Sequence, residues 1–174
     1  MPRFLRPLAV VMLAISALVF VVSTGTARQL AAPVGEVILT VSGSIEATGP
    51  DTSVQFDLAG LRALGARQIV TSTIWTTGPH SFTGVSLDVL LRHLGAKGAT
   101  LQAVAVNDYA INIPTSDAVP GGPIIAYEMD GEVMSLRDNG PLWVIYPYDS
   151  DASFRSKVIY SRSIWQLDRI DVID

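Results

Sequence analysis

The chain contains no cysteine. That single absence removes a thiolate metal ligand, a cysteine nucleophile and a dithiol redox pair at once. It also removes disulfide cross-links, so any fold must rest on its core. Histidine is scarce: His80 and His93 are the only two, too few for a zinc site built of imidazoles alone. Serines are plentiful, yet there is no G-x-S-x-G elbow, no G-x-x-x-x-G-K-[ST] phosphate loop and no G-x-G-x-x-G turn. The acidic stretch "DGEVMSLRDNG" lacks the spacing and the twelfth-position glutamate of a calcium-binding EF-hand loop. Positive charge is short as well, with 12 Lys and Arg against 16 Asp and Glu and a formal net charge of −4. Without Arg3 and Arg6, ten basic residues face sixteen acidic ones, a balance near −6. Such a surface argues against nucleic acid as a partner and against electrostatic docking on anionic lipid.

What is present begins with a leader. "MPRFLRPLAVVMLAISALVFVVSTGTARQLAAP" carries Arg3 and Arg6, runs apolar from Leu8 to Val22, and closes on the small residues "STGTA". A basic start, an apolar run of about 15 residues and a small-residue exit are the marks of a secretory signal peptide. Cleavage after Ala27 would set Gly25 and Ala27 at the two small-residue subsites. The competing reading is an uncleaved anchor, but a bilayer core needs about 20 apolar residues. The expectation is therefore a signal peptide over 1–27, a tether over 28–35 and one domain over 36–174. That domain is expected to be periplasmic, with no stable membrane span after cleavage. Oxidising compartments favour disulfides. A cysteine-free domain there must bury a sizeable core, and about 145 residues suffice for one.

The periodicities predict a mixed α+β domain, rich in strands, with two short inserted helices. "EVILTVSGSI" alternates and predicts a strand over Glu36 to Ser42. "VQFDLAGLRALG" predicts a brief strand and a helix, capped by Asp57 and ended at Gly65. "RQIVTSTIW" predicts another strand, followed by a Gly/Pro loop that holds His80. Leu87, Leu90, Leu91 and Leu94 then fall at helical spacing between a Ser86 cap and Gly95. "TLQAVAVNDYAINIP" and "PIIAYEMDGEVM" predict hairpins around Asn107-Asp108 and Asp130-Gly131, and "PLWVIYP" predicts a short buried strand. The final segment alternates over Trp165, Leu167, Ile170 and Val172, with one step out of phase.

Polar residues gather at the predicted strand ends: Asn107, Asp108 and Tyr109; Arg137, Asp138 and Asn139; Tyr148, Asp149 and Asp151; Arg155, Lys157 and Tyr160. Hairpin turns account for Asn107-Asp108 and Asp138-Asn139 without any function, and His93 reads as a surface or boundary residue of its helix. A solvated role competes with a ligand role for His80. "YPYDSDASFRSK" is harder to explain as a mere connection, because its acids, bases and tyrosines follow directly on an apolar strand. Arg137, Arg155 and Lys157 would suit an anionic group, and Trp75, Tyr148 and Tyr160 would supply flat apolar walls.

Two stretches carry a resemblance. "FTGVSLDVLLRHLG" resembles the W-x-G-x-x-L-x-x-L-L segment of the sulfite-oxidase-type molybdopterin-binding domain family. "DGEVMSLRDNGPLWVIYP" resembles its G-x-x-L-x-x-x-x-G-x-P-x-x-x-x-x-P run, with Gly131, Met134, Pro141 and Pro147 in step, and "VIYSRSIWQLDRIDV" is similar to its final strand region. The likeness spans most of Val37 to Val172 and is nearest to small exported stand-alone members. It implies a single sulfite-oxidase-type domain and molybdopterin as a possible cofactor. Together with the polar residues at the strand ends, the candidate cofactor-binding set is Thr71, Trp75, His80, Asn107, Asp108, Tyr109, Arg137, Tyr148, Asp149, Arg155 and Lys157. In catalytic members a cysteine on the strand before the tryptophan binds molybdenum. Four residues before Trp75 stands Thr71, and Ser72 and Thr73 follow it; none is a thiol. Phe82 stands where the family often has tryptophan. The resemblance and the missing thiol together imply a non-catalytic module that binds a small anionic, pterin-like ligand. The alternatives are a molybdenum oxidoreductase without a protein thiolate and a partner-binding accessory domain of a membrane sensor or redox complex.

Overall fold

The computed structural model describes residues 32–46 and 53–174. The leader over 1–27, the tether as far as residue 31 and most of the first turn cluster lie outside the described residues.

The described residues open with β1 (Leu39–Gly43), which starts three residues later than the sequence suggests, and β2 (Ser53–Phe56). Asp57 then caps α1 (Leu58–Ala63), accepting the Gly60 N–H at 2.7 Å. Its other carboxylate oxygen accepts the Val34 and Gly35 N–H groups at 3.1 and 2.8 Å, so the cap also fixes the entry to the domain. These three amide bonds hold the Asp57 carboxyl below the usual aspartate range, although burial works against them. Next come β3 (Arg67–Ser72), β4 (Pro79–Ser86) and α2 (Leu87–Leu94). The four leucines of α2 are all buried, and the helix ends on Gly95 at φ 61°, the left-handed region that favours glycine.

The two predicted hairpins are present. β5 (Thr100–Ala105) and β6 (Ala110–Pro114) pair across Asp108 at φ 64°. β7 (Ile124–Met129) and β8 (Glu132–Val133) pair across Asp130 and Gly131 at φ 52° and 86°, two positive angles in succession as a tight hairpin turn requires. β9 (Trp143–Ile145), α3 (Lys157–Arg162) and β10 (Leu167–Ile173) complete the chain.

Two sheets result. One runs β2-β1-β10-β5-β6, with the first and last strands of the chain, β1 and β10, paired in parallel. The other runs β3-β4-β7-β8, with β9 also paired to β7. A single buried cluster draws Leu39, Val41 and Ile170 from the first sheet, Phe82, Ile124 and Trp143 from the second, and the leucines of α2. Among the described residues no helix is long and apolar enough to cross a membrane.

Two elements depart from the sequence reading. The Gly/Pro loop expected to carry His80 is instead the start of β4, antiparallel to β3 with Thr71 opposite His80. Gly84 misleads because its role is tertiary. A Cβ there would sit 2.2 Å from the Ile125 carbonyl oxygen, at the point where the β4–β7 register shifts. The second departure is α3, a third helix in a segment read as strand. Its cap is Ser156, whose hydroxyl accepts the Ile159 N–H at 3.3 Å.

Candidate functional site

The end of β3 is held by a reciprocal pair of bonds. Thr71, only 1% exposed, accepts the Asp149 N–H on Oγ1 at 3.1 Å, and the Asp149 carboxylate accepts the Ser72 N–H at 2.6 Å. That amide bond, with Arg155 nearby in a lesser role, holds the Asp149 carboxyl below its ordinary range. Beyond Ser72 the chain turns on Thr73, whose Oγ1 accepts the N–H groups of Trp75 and Thr76, each at 3.0 Å. The turn delivers Trp75 to the centre of an aromatic cluster. Its ring lies edge-on to Trp143, Tyr148, Tyr160 and Trp165, with centroids 5.7, 6.5, 5.8 and 5.5 Å away.

One side of this cluster is core. Trp143 and Tyr148 are buried, and their polar ends are satisfied at Ser163: the Trp143 indole N–H donates to its carbonyl at 3.1 Å and the Tyr148 hydroxyl to its Oγ at 2.6 Å. Burial pushes the Tyr148 hydroxyl up to about 12, so it is a proton donor and not a base at neutral pH. The other side is open. Trp75, Tyr109, Tyr160 and Trp165 wall a cleft of about 480 Å³, with Ala105, Asn107, Ser161, Ser163 and Ile164 completing its lining. Among the described aromatic residues Tyr109 and Trp165 alone are strongly exposed, at 55% and 39%, and both face this cleft.

The structure thus brings together Thr71, Trp75, Tyr148 and Asp149 at one wall, and Trp75, Asn107 and Tyr109 on the lining. The remaining expected residues lie elsewhere. His80 bonds through Nδ1 to Asp130 at 2.6 Å and through Nε2 to the Thr77 carbonyl at 3.2 Å, away from the cleft lining. Asp108 pairs with Arg169 across the β5–β10 edge. Arg137 sits exposed in a single turn of 3-10 helix, Leu136–Asp138. Arg155 and Lys157 are exposed before and at the start of α3, and neither lines the cleft. Five lining residues are not among those expected from the sequence: Ala105, Ser161, Ser163, Ile164 and Trp165. Trp165 read as one step of an alternating strand, although the out-of-phase step after it was the available signal: Gln166 has φ 52° and the β10 register shifts between Leu167 and Arg169. Ser161 belongs to the helix that was not foreseen.

A molybdenum centre of the family's kind does not fit the donors present. The hydroxyl at Thr71 is buried and already bonded to the Asp149 amide, and it is a hard, neutral donor where a soft thiolate is needed. Among the described residues no three His, Asp or Glu side chains converge as a metal site. The cleft lining carries no charged residue to receive a phosphate.

Comparison with known proteins agrees with the architecture. Among solved structures, the sulfane dehydrogenase SoxCD from Paracoccus pantotrophus superposes with a TM-score of 0.57 at 16% identity, over 78% of this chain and 38% of that one. The two therefore share a sulfite-oxidase-type fold, and this chain spans well under half of its neighbour's length. No curated protein matches the sequence. The sequence model described as "Oxidoreductase molybdopterin binding domain" matches residues 50–154. That match takes in β3, β4, α2 and both hairpins, and with them Trp75, Asn107 and Tyr109 of the cleft, and by it the chain belongs to the oxidoreductase molybdopterin binding domain family.

Proposed function

We propose that this protein is a non-catalytic, exported member of its family, a binding module that holds a small pterin-like molecule by its ring in the aromatic cleft. The observation that carries this reading is the state of Thr71. The position nearest to the family's metal ligand is buried and its oxygen accepts a backbone amide, so it serves the packing of the strand end. Beyond the turn that follows it stands a cleft suited to a small molecule: a flat wall from Trp75, further rings from Tyr160 and Trp165, and a size common for small-molecule sites. The leader, with its basic start and small-residue exit, supports a periplasmic location. The test is turnover by protein isolated from its native compartment. Neither sulfite oxidation nor sulfoxide reduction should be detected, and N-terminal sequencing should begin near Arg28. Sulfur-substrate turnover, or Met1 recovered in a membrane fraction, would contradict the corresponding part.

A partner-binding role has its own support. Ile74, Val106 and Val158 are exposed apolar residues that flank the cleft residues Trp75, Asn107 and Tyr160 closely in sequence. An accessory domain would use such side chains as a rim around the cleft.

A further inference from the structure

We infer that the cleft selects an uncharged, planar ring system of two or three fused rings that presents carbonyl oxygens or ring nitrogens as acceptors. The inference rests on the binding-module reading and adds the charge and hydrogen-bonding class of the ligand.

Three observations carry it. First, the walls are rings. Trp75 and Trp165 meet edge-on at 5.5 Å, and Trp75 and Tyr160 at 5.8 Å. Side chains so disposed leave faces free for a flat guest, and the two most exposed aromatic residues of the described chain stand here. Second, every free polar side chain of the lining can donate, and only the Tyr109, Tyr160 and Ser161 hydroxyls can also accept. The indole N–H groups of Trp75 and Trp165 can only donate. They make no hydrogen bond with any described residue. Asn107 spends its Oδ1 on the Tyr109 N–H at 3.1 Å, which leaves its amide NH₂ to face outward. Third, none of the lining residues is charged, and the protein as a whole is acidic. An anion placed there would give up water without a guanidinium, an ammonium or a helix start of adequate length to replace it. Arg155 and Lys157 lie outside the lining, so they offer an anion a site only beyond the cleft.

Riboflavin and riboflavin 5′-phosphate form a suitable pair of probes, since they share one ring and differ by the phosphate. Each is titrated into the intact protein while the quenching of flavin fluorescence is followed. Riboflavin should bind saturably, and its phosphate at least about tenfold more weakly at low salt. Asn107→Asp keeps the acceptor used by Tyr109 and replaces the outward NH₂ with an acceptor, on an exposed turn. It should weaken riboflavin about tenfold without changing the melting temperature. Trp165→Ala should weaken both probes together. Tighter binding of the phosphate, lost in Lys157→Ala, would overturn the uncharged class and leave the binding-module reading standing. Unchanged affinity in Asn107→Asp would overturn the donor assignment. Quenching by neither probe would overturn the inference and count against the binding-module reading as well.

Discussion

The segment from Phe82 to Leu91 and the segment from Thr71 to Trp75 start on neighbouring strands, β4 and β3, and run on into α2 and a turn, yet they stand in opposite relations to the family pattern. In the first, the residues at motif positions are there for packing. Phe82, Leu87, Leu90 and Leu91 are buried, and Gly84 lets the β7 backbone pass where a side chain would strike the Ile125 carbonyl. In the second, Thr71, the residue that the family resemblance sets nearest to a metal ligand, has a hydroxyl that serves its own chain. The positions that build the fold can persist under packing constraints alone, because each loss costs stability whatever the protein does. A metal ligand has no such protection. Once the metal is not needed, any side chain that satisfies the local backbone will serve.

The largest effect should come from the first segment. Leu90→Ala removes a fully buried side chain from the α2 stripe and should cost about 2–5 kcal/mol in denaturant unfolding. A loss below about 1 kcal/mol would mean that α2 is not packed as described. Gly84→Ala should follow at about 1–3 kcal/mol, since the added methyl meets backbone that cannot swing aside as a side chain would. A neutral result there would remove the packing explanation for the motif's glycine.

The second segment should respond more mildly. Thr71→Val keeps the shape but leaves the Asp149 amide without its acceptor, at a cost of about 1–2 kcal/mol. Thr71→Ser, which retains the oxygen, should cost less. Equal losses in both variants would assign the role of Thr71 to its methyl group and weaken the contrast between the two segments.

The smallest effect is a pH dependence at the mouth of β4. His80 faces two acceptors, the Asp130 carboxylate and the Thr77 carbonyl, so its ring is best satisfied when both nitrogens carry protons. The bond to Asp130 raises the imidazole above its ordinary 6.5, although burial opposes it. His80 in turn lowers Asp130 below its ordinary 3.8, helped by the Ser81 amide. A raised histidine contributes its stability in full below about 6.5 and loses it as pH rises through the folded value. The lowered aspartate contributes above its ordinary value and loses its share as pH falls through the folded one. The melting temperature of His80→Ala should therefore differ most from the parent in mildly acidic buffer and converge with it at alkaline pH. A difference that stayed constant from pH 5 to 9 would assign the effect to packing against Phe82, whose ring centroid is 6.4 Å from that of His80.

The frame was legible in the sequence wherever one local rule decided the outcome. The leucine spacing of α2, the Asp57 cap and the Asp130-Gly131 turn each specify their element alone. β4 was not legible because Pro79 and Gly84 look like loop residues until the crossing strand is present. α3 is six residues long, between Ser156 and Ser163 at its caps, so its periodicity is too short to register. The site divides in the same way. Trp75, Asn107, Tyr109 and Tyr160 are legible in the sequence, and the cleft collects them. Arg137, Arg155 and Lys157 were grouped by charge, a property that says nothing about which side of a loop they leave from. Trp165 was hidden because the positive φ of Gln166 turns it away from the strand it precedes.

A non-catalytic binding module requires position 71 to act in structure and not in metal binding. The most direct measurement is the molybdenum and pterin content of the protein purified from a molybdenum-replete native host, taken beside the Thr71→Val variant. Molybdenum far below one equivalent is expected in both, with the variant differing only in stability. Near-stoichiometric molybdenum in the parent that is lost in Thr71→Val would contradict it.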